Sequence, residues 1–452
     1  MKIINPYNKK ELGSVELVDL SGALNKVKSA KNAEPAMRKL SAFQKSTILN
    51  QIVDGINKRF EEFVLTIARE SGKPYLYAKG EVQRAIETFT IAAEECKRIP
   101  HESFDLDASA RGKGRRGEYR YFPAGVVFGI SPFNFPLNLA VHKIAPAIAA
   151  GCPIVLKPSS KTPLTMELLN SVIAASDLPE GGFTLLHCSR EVGNEIIQHP
   201  NINVLSFTGS PAIGWEMKAK AGKKKVVLEL GGNAAAIVCG DANYGLALDE
   251  LTVGAFAYSG QVCIHTQRIY VHQELVHQFK KDFVARAEQL TVGDPLAPST
   301  NFSVMIDEQN AKRVEAWVNE ATAAGAQVLL GGNREGAYYP PTILTNVPKD
   351  AKVRNEEVFG PVVIVESFES LKEAIEEVND SRWGLQASIF TDSIIQLNQA
   401  FDELEVGGVI HNLSTTFRVD EMPYGGVKDS GFGREGVKYA MMDYLEGKLL
   451  IR

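Results

Sequence analysis

An α/β fold built from two doubly wound units is predicted by three observations. Short, continuously apolar runs alternate with helical patterns from residue 124 onward. The runs are β-rich and uninterrupted by charge, which marks strands buried on both faces of a parallel sheet. The alternation begins afresh after residue 233, and right-handed crossovers wind each set into its own covered sheet.

The elements follow in order. Residues 19–97 read as helices, because "FQKSTILNQIVDGINKRFEEFVLTIARES" repeats apolar residues at three and four spacing. "RGKGRRGEYRYF" at 111–122 is basic, and Tyr119 and Tyr121 alternate with charges, as in a solvated hairpin or an arm. "AGVVFGI", "PIVLK", "FTLLHC", "VLSFTG" and "KVVLEL" read as strands. Between them lie the helix "LNLAVHKIAPAIAAG", closed by Gly151, and the helical stretches "VGNEIIQH" and "PAIGWEMKAKAG". A further helix opens on Thr162 as N-cap and Pro163 in its first turn. In the second set "VHQFKKDFVARAEQL", "SLKEAIEEVND" and "SIIQLNQAFDEL" are helical, while "RIYVH", "PVVIVESF", "ASIFT" and "GGVIHN" are strands. The final "DYLEGKLLIR" is strand-like and suited to pairing with 111–122 or with another subunit.

Composition excludes several functions. The 452 residues are 44% hydrophobic and 23% charged, as expected of a globular protein of two or three domains. A net charge of −5 argues against a nucleic-acid binder. Cys96, Cys152, Cys188, Cys239 and Cys263 form no CxxC pair and have no histidines clustered near them, so no metal site is expected. The apolar region 124–156 is broken by Pro132, Pro136, His142, Lys143 and Pro146, which excludes a membrane span. No apolar signal core opens the chain, and a cytoplasmic protein is expected.

Chemistry is concentrated in a few stretches. Cys263 in "SGQVCIHTQ" sits between a helical stretch and a strand, where a loop thiol can act as a nucleophile. Glu229 ends the apolar strand "VVLEL", an awkward place for an acid unless it is a desolvated base or an edge ion pair. Asn134 in "SPFNFP" follows a strand's carboxyl end, where ligands bind open α/β sheets, although, taken alone, it reads first as an Asn turn between prolines. Gly209 and Ser210 in "FTGSPAIG" open a helix whose N–H groups can hold phosphate, and Lys157 ends a strand.

Taken in order, "SPFNFP", "LKPSSKTPLT", "FTGSPAIG", "LELGGN", "GQVC", "EEVFGPV" and "PYGGVKDSGFGREG" resemble the aldehyde dehydrogenase superfamily, over essentially the whole chain. The resemblance implies a dinucleotide-binding domain (1–104 and 123–232), a catalytic domain (233–430) and a small β oligomerisation arm (105–122 and 431–452). It makes Cys263 the nucleophile, with the Asn134 amide and the Cys263 N–H as oxyanion donors. Glu229 becomes the base that activates water against a thioester, and its presence points to the hydrolytic rather than the CoA-acylating branch. Lys157 would contact the adenine ribose, Ser210 the pyrophosphate, and Glu357 and Phe359 the nicotinamide ribose and ring. Many NAD-preferring members carry Glu where this chain has Ser160; a serine removes repulsion of a 2′-phosphate, so NADP is expected alongside NAD.

"HNLSTTFRVDEMPYGG" at 411–426 occupies the loop that lines the aldehyde entrance in this family. Arg-x-Asp before "PYGG" resembles the lactaldehyde, succinate-semialdehyde and phosphonoacetaldehyde branch. Arg418 is therefore a candidate clamp for an anionic tail, or a loop-shaping partner of Asp420. His265, two residues after the nucleophile, either faces the same pocket or packs. Arg120 has no assigned role. The expected activity is oxidation of a small anionic or hydroxylated aldehyde by a homodimer or homotetramer. A semialdehyde dehydrogenase of amino-acid breakdown and a non-enzymatic protein of the same fold are the alternatives. A cofactor-free cysteine hydrolase is disfavoured because no histidine sits in a triad motif.

Overall fold

The computed structural model describes residues 1–452 and contains three principal sheets. The first runs Gly431–Phe432, Lys225–Glu229, Ile202–Thr208, Val126–Ile130, Ile154–Lys157, Phe183–Leu185. All its pairings are parallel except that of Gly431–Phe432 with the Glu229 strand. The second runs Gln327–Leu330, Thr342–Thr345, Val362–Phe368, Thr266–His272, Ala234–Val238, Gln386–Phe390, Gly408–His411. It too is parallel, apart from its first, exposed edge strand. Helices cover both, as continuous apolar strands require.

The third sheet is a ribbon of Leu445–Ile451, Arg116–Pro123 and His101–Asp105. The chain's last strand thus pairs with the basic segment, with Leu449 opposite Tyr119. The ribbon differs in extent from the expected arm. Residues 101–104 belong to it, because His101–Asp105 hydrogen-bonds to Arg116–Pro123. Residues 431–444 do not: Gly431 pairs with Glu229, and helix Val437–Asp443 is buried against helices of the first unit. Apolar burial at Val437 and Met441 draws the segment back to the core.

Helix Asn138–Ala150 is buried at every position and ends at Gly151 in the left-handed region (φ 82°). Helices Tyr75–Glu95 and Ala42–Lys58 share its core. A helix without a polar face nevertheless carries Asn138, His142 and Lys143, so each must find partners inside the protein. Helix Leu164–Ala174 corrects an expectation. Thr162 does not cap it, and its hydroxyl is buried without a partner. The buried Glu70 carboxylate instead accepts from the Leu164 and Thr165 N–H groups at 2.8 and 3.0 Å, and from the Thr165 hydroxyl. Helix Glu308–Ala323 and the strands Gln327–Leu330 and Thr342–Thr345 lack any counterpart in the sequence reading. No helix is long and apolar enough to cross a membrane.

Candidate active site

The two large sheets meet at a cleft of about 480 Å³, within the size range of cofactor sites. Cys263, Glu229, Asn134, Lys157 and Ser160 line it, together with Gly209, Ser210, Glu357 and Phe359. Arg418 and His265 do not.

The Cys263 loop is wound by three successive left-handed residues after helix Tyr244–Phe256: Tyr258 (φ 49°), Ser259 (φ 53°) and Gly260 (φ 67°). A Cβ on Gly260 would lie 2.2 Å from the Gly360 carbonyl oxygen, so only glycine fits. Ser259 Oγ donates to the Ser303 carbonyl at 2.8 Å, and the Ile306 N–H donates to Gln261 Oε1 at 2.9 Å. Asn134 Nδ2 donates to the Gln261 carbonyl at 3.0 Å, which ties the "SPFNFP" loop to the Cys263 loop. That bond uses one of the two amide hydrogens.

Glu229 ends its strand inside the protein, and neither carboxylate oxygen has a hydrogen-bond partner. Burial, then the nearby Glu435 charge, raise its pKa well above the ordinary carboxylate value. Such a group is poised to hold or accept a proton rather than to anchor a structure. Burial likewise pushes the Cys263 thiol up to about 11, against lowering influences from Tyr424 and Arg418. Its sulfur lies 3.1 Å from the Tyr424 hydroxyl.

On the other side of the cleft, Lys157 is largely buried with no carboxylate beside it, and burial lowers its pKa. Ser210 precedes helix Pro211–Ala221 without spending its side chain on a cap, and Pro211 occupies the first turn. A lone cation and free helix N–H groups suit a phosphorylated ligand. The Glu357 carboxylate accepts from the Gly232 N–H at 3.1 Å, and a Cβ on Gly231 would lie 2.4 Å from it. Burial raises Glu357 to about 7. Phe359 holds φ at 46° and meets Phe133 edge to face at 5.8 Å. These residues fit a nicotinamide dinucleotide.

Behind Cys263 lies a buried ionic cluster. Arg418 donates to Glu435 at 2.9 Å and lies 3.7 Å from the centre of the Tyr424 ring. It does not pair with Asp420, which takes Arg84 at 2.5 Å and His142 at 2.7 Å. Glu435 also accepts from Lys143 at 3.1 Å, and Lys143 donates to Thr208 Oγ1 at 2.7 Å. Burial opposes the Glu435 charge, but Lys143 and Arg418 outweigh it and hold the group down to about 2. His265 is fully buried; desolvation pushes it down to about 4, and Nε2 has no partner. A neutral imidazole there is a poor donor to an anion.

Lys143, Tyr424, Glu435 and Arg84 were missed by sequence reasoning. Tyr424 and Glu435 stood inside the quoted "PYGGVKDSGFGREG", and a buried-helix lysine was the available signal for Lys143.

The chain belongs to the aldehyde dehydrogenase family, whose model matches residues 1–450. It is an NAD(P)-dependent oxidoreductase that converts an aldehyde to the carboxylic acid. It is similar to 3-sulfolactaldehyde dehydrogenase of Priestia aryabhattai, 40% identical over 452 residues, covering 100% of this chain and 94% of that protein. Among solved structures, it resembles aldehyde dehydrogenase 21 from Physcomitrella patens in complex with the reaction product succinate (46% identity, TM-score 0.98, 100% and 94% of the two chains). It also resembles glyceraldehyde-3-phosphate dehydrogenase GapN from Methanocaldococcus jannaschii complexed with NADP (38% identity, TM-score 0.95, 100% and 98%).

Proposed function

We propose that the substrate is a small aldehyde with an anionic tail, and that Arg418 attracts it. The observation that carries this reading is the placement of Arg418 over the ring whose hydroxyl touches Cys263. Arg418 Nε is buried and has no protein partner. Relatives named for sulfolactaldehyde and sulfoacetaldehyde, and a neighbour holding succinate, support the same class.

In this mechanism Cys263 attacks the carbonyl carbon, and the Asn134 amide and Cys263 N–H hold the oxyanion. A nicotinamide dinucleotide, when bound, would supply the hydride acceptor, and Cys263 would hold the acyl group as a thioester. Glu229 then takes a proton from water, which hydrolyses the thioester to the acid. Lys157 and Ser210 hold the dinucleotide's ribose and phosphates, and Glu357 and Phe359 fix its reactive end. With Ser160 in place of a carboxylate, NADP is accepted. The exposed Leu449, Leu450 and Ile451 on the ribbon suit assembly into a homodimer or homotetramer, and a cytoplasmic location accords with the sparse, free cysteines.

The test is reduced-dinucleotide formation from NAD and NADP with succinate semialdehyde, sulfoacetaldehyde, phosphonoacetaldehyde and one neutral short aldehyde. Selectivity for the anionic aldehydes that Arg418→Ala abolishes, through KM, is the expected result. An equal effect on the neutral aldehyde supports the second reading, in which the Arg418–Glu435 pair shapes the loop.

A further inference from the structure

We infer that Tyr424 is a catalytic residue, whose hydroxyl donates a hydrogen bond to the Cys263 thiolate and makes that thiolate accessible in a desolvated site. The inference rests on Cys263 being the nucleophile, and not on which aldehyde is oxidised.

The geometry is direct. Tyr424 Oη lies 3.1 Å from Cys263 Sγ, within hydrogen-bond reach of a sulfur. The phenol is 3% exposed as a residue and is fixed from both sides. Its backbone N–H donates to the Glu435 carbonyl at 3.0 Å and the Glu435 N–H returns the bond at 2.6 Å. Tyr424 also belongs to a small apolar cluster with Val262, Ile264 and Leu385 around the nucleophile loop. Among the hydrogen bonds of the protein, the hydroxyl makes this one alone.

Chemistry decides the direction of the bond. A thiolate has no proton to give, so once Cys263 ionises only the phenol can donate. A hydrogen bond to the charged form favours that form. The Arg418 guanidinium at 3.7 Å from the ring centre strengthens the phenol as a donor, because a nearby cation stabilises negative charge developing on the phenol oxygen and so makes its O–H more acidic. The charged and titratable groups that act on Cys263 and Tyr424 are Arg418, Glu229 and Glu357. Both carboxylates oppose a thiolate, while Arg418 and the Tyr424 hydroxyl favour it.

The step balances without an added reagent. The Cys263 proton leaves to bulk solvent through the open cleft before attack. The freed sulfur pair, held by the Tyr424 O–H, forms the S–C bond, and the carbonyl π pair moves onto oxygen. Tyr424 keeps its proton throughout, and its bond to sulfur weakens as the sulfur loses charge.

The experiment is the pH profile of Cys263 alkylation by iodoacetamide in the full-length enzyme, without aldehyde or dinucleotide. Tyr424→Phe retains the ring under Arg418 and removes only the donor. The expected result is an alkylation rate lowered about tenfold at neutral pH and a profile midpoint moved up by about one pH unit. The KM for the dinucleotide stays unchanged while kcat falls. Replacement of Tyr424 by 3-fluorotyrosine, a stronger donor of the same shape, moves the midpoint the other way and remains informative if the phenylalanine variant does not fold. A midpoint unmoved in both variants overturns the inference, including the case where only the reactive fraction drops. Absence of turnover on every anionic aldehyde overturns the substrate reading and leaves the alkylation result standing.

Discussion

Glu229 and Glu357 show how position alone sets the chemistry of one residue type. Glu229 has no partner for either oxygen, whereas Glu357 takes the Gly232 N–H. Glu229→Gln should slow steady-state turnover about 100-fold, as loss of a general base does, and leave a rapid first burst of reduced dinucleotide. Stopped-flow absorbance checks this; loss of the burst would move Glu229 to the acylation step. In the proposed role Glu229 acts as the carboxylate, and its pKa is raised, so deacylation-limited turnover should rise with pH well above the ordinary carboxylate range. Glu357 has a stability consequence of definite sign. Its pKa rises from 4.5 in the unfolded chain to about 7 in the folded one. Its contribution is therefore intact below 4.5 and is lost as pH climbs through about 7. Urea midpoints across that window should fall for the wild type and fall less for Glu357→Gln.

At the scale of elements, the sequence is legible where one segment contains its own explanation. Gly151 marks a helix end because its left-handed backbone is a local need. The strands "AGVVFGI" and "VLSFTG" are recognisable because burial on both faces leaves them wholly apolar. Partners distant in sequence are not legible. The cap of helix Leu164–Ala174 comes from Glu70, 94 residues away, and so the adjacent Thr162 drew the assignment instead. Asp420, two residues on, is the neighbouring acid that the sequence offers Arg418 as an alternative to a substrate anion, while folding gives Arg418 Glu435 and gives Asp420 to Arg84 and His142. Cys263, Glu229 and Asn134 line one cleft; each stood out only weakly in its own segment, as a loop thiol, a strand acid and a post-strand amide, and it is the order of seven motifs that groups them. Lys143 hid in a helix that reads as pure core. Glu70→Ala should cost about 1–3 kcal/mol, because three donors lose their acceptor, and Thr162→Ala should stay below about 0.5 kcal/mol. Chemical denaturation of the two variants compares them directly. Glu435→Gln should cost about 3–5 kcal/mol, since Lys143 and Arg418 then stay buried without their counter-charge.

For the whole molecule, two covered sheets create the cleft and the ribbon stands apart from it. Leu449, Leu450 and Ile451 remain exposed there, a concentration of apolar side chains at one strand. Truncation after Tyr444 removes that strand from its partner Arg116–Pro123. The expected outcome in sedimentation velocity is a smaller species with the dinucleotide still bound. An unchanged sedimentation coefficient would assign assembly to another face.

The pairing of Gly431 with Glu229 sets a timetable for biosynthesis. The two residues are 202 positions apart (431 − 229). At roughly 5–20 residues per second, a ribosome needs about 10–40 s to supply the second after the first. Throughout that interval the strand carrying Glu229 is an unpaired edge of a nearly finished sheet, a surface that invites wrong partners and chaperones. A message cut short before the Gly431 codon therefore yields a polypeptide with Cys263 and most of the dinucleotide cleft but an unsecured Glu229 strand. Such a product is expected to be inert and short-lived rather than a weaker enzyme.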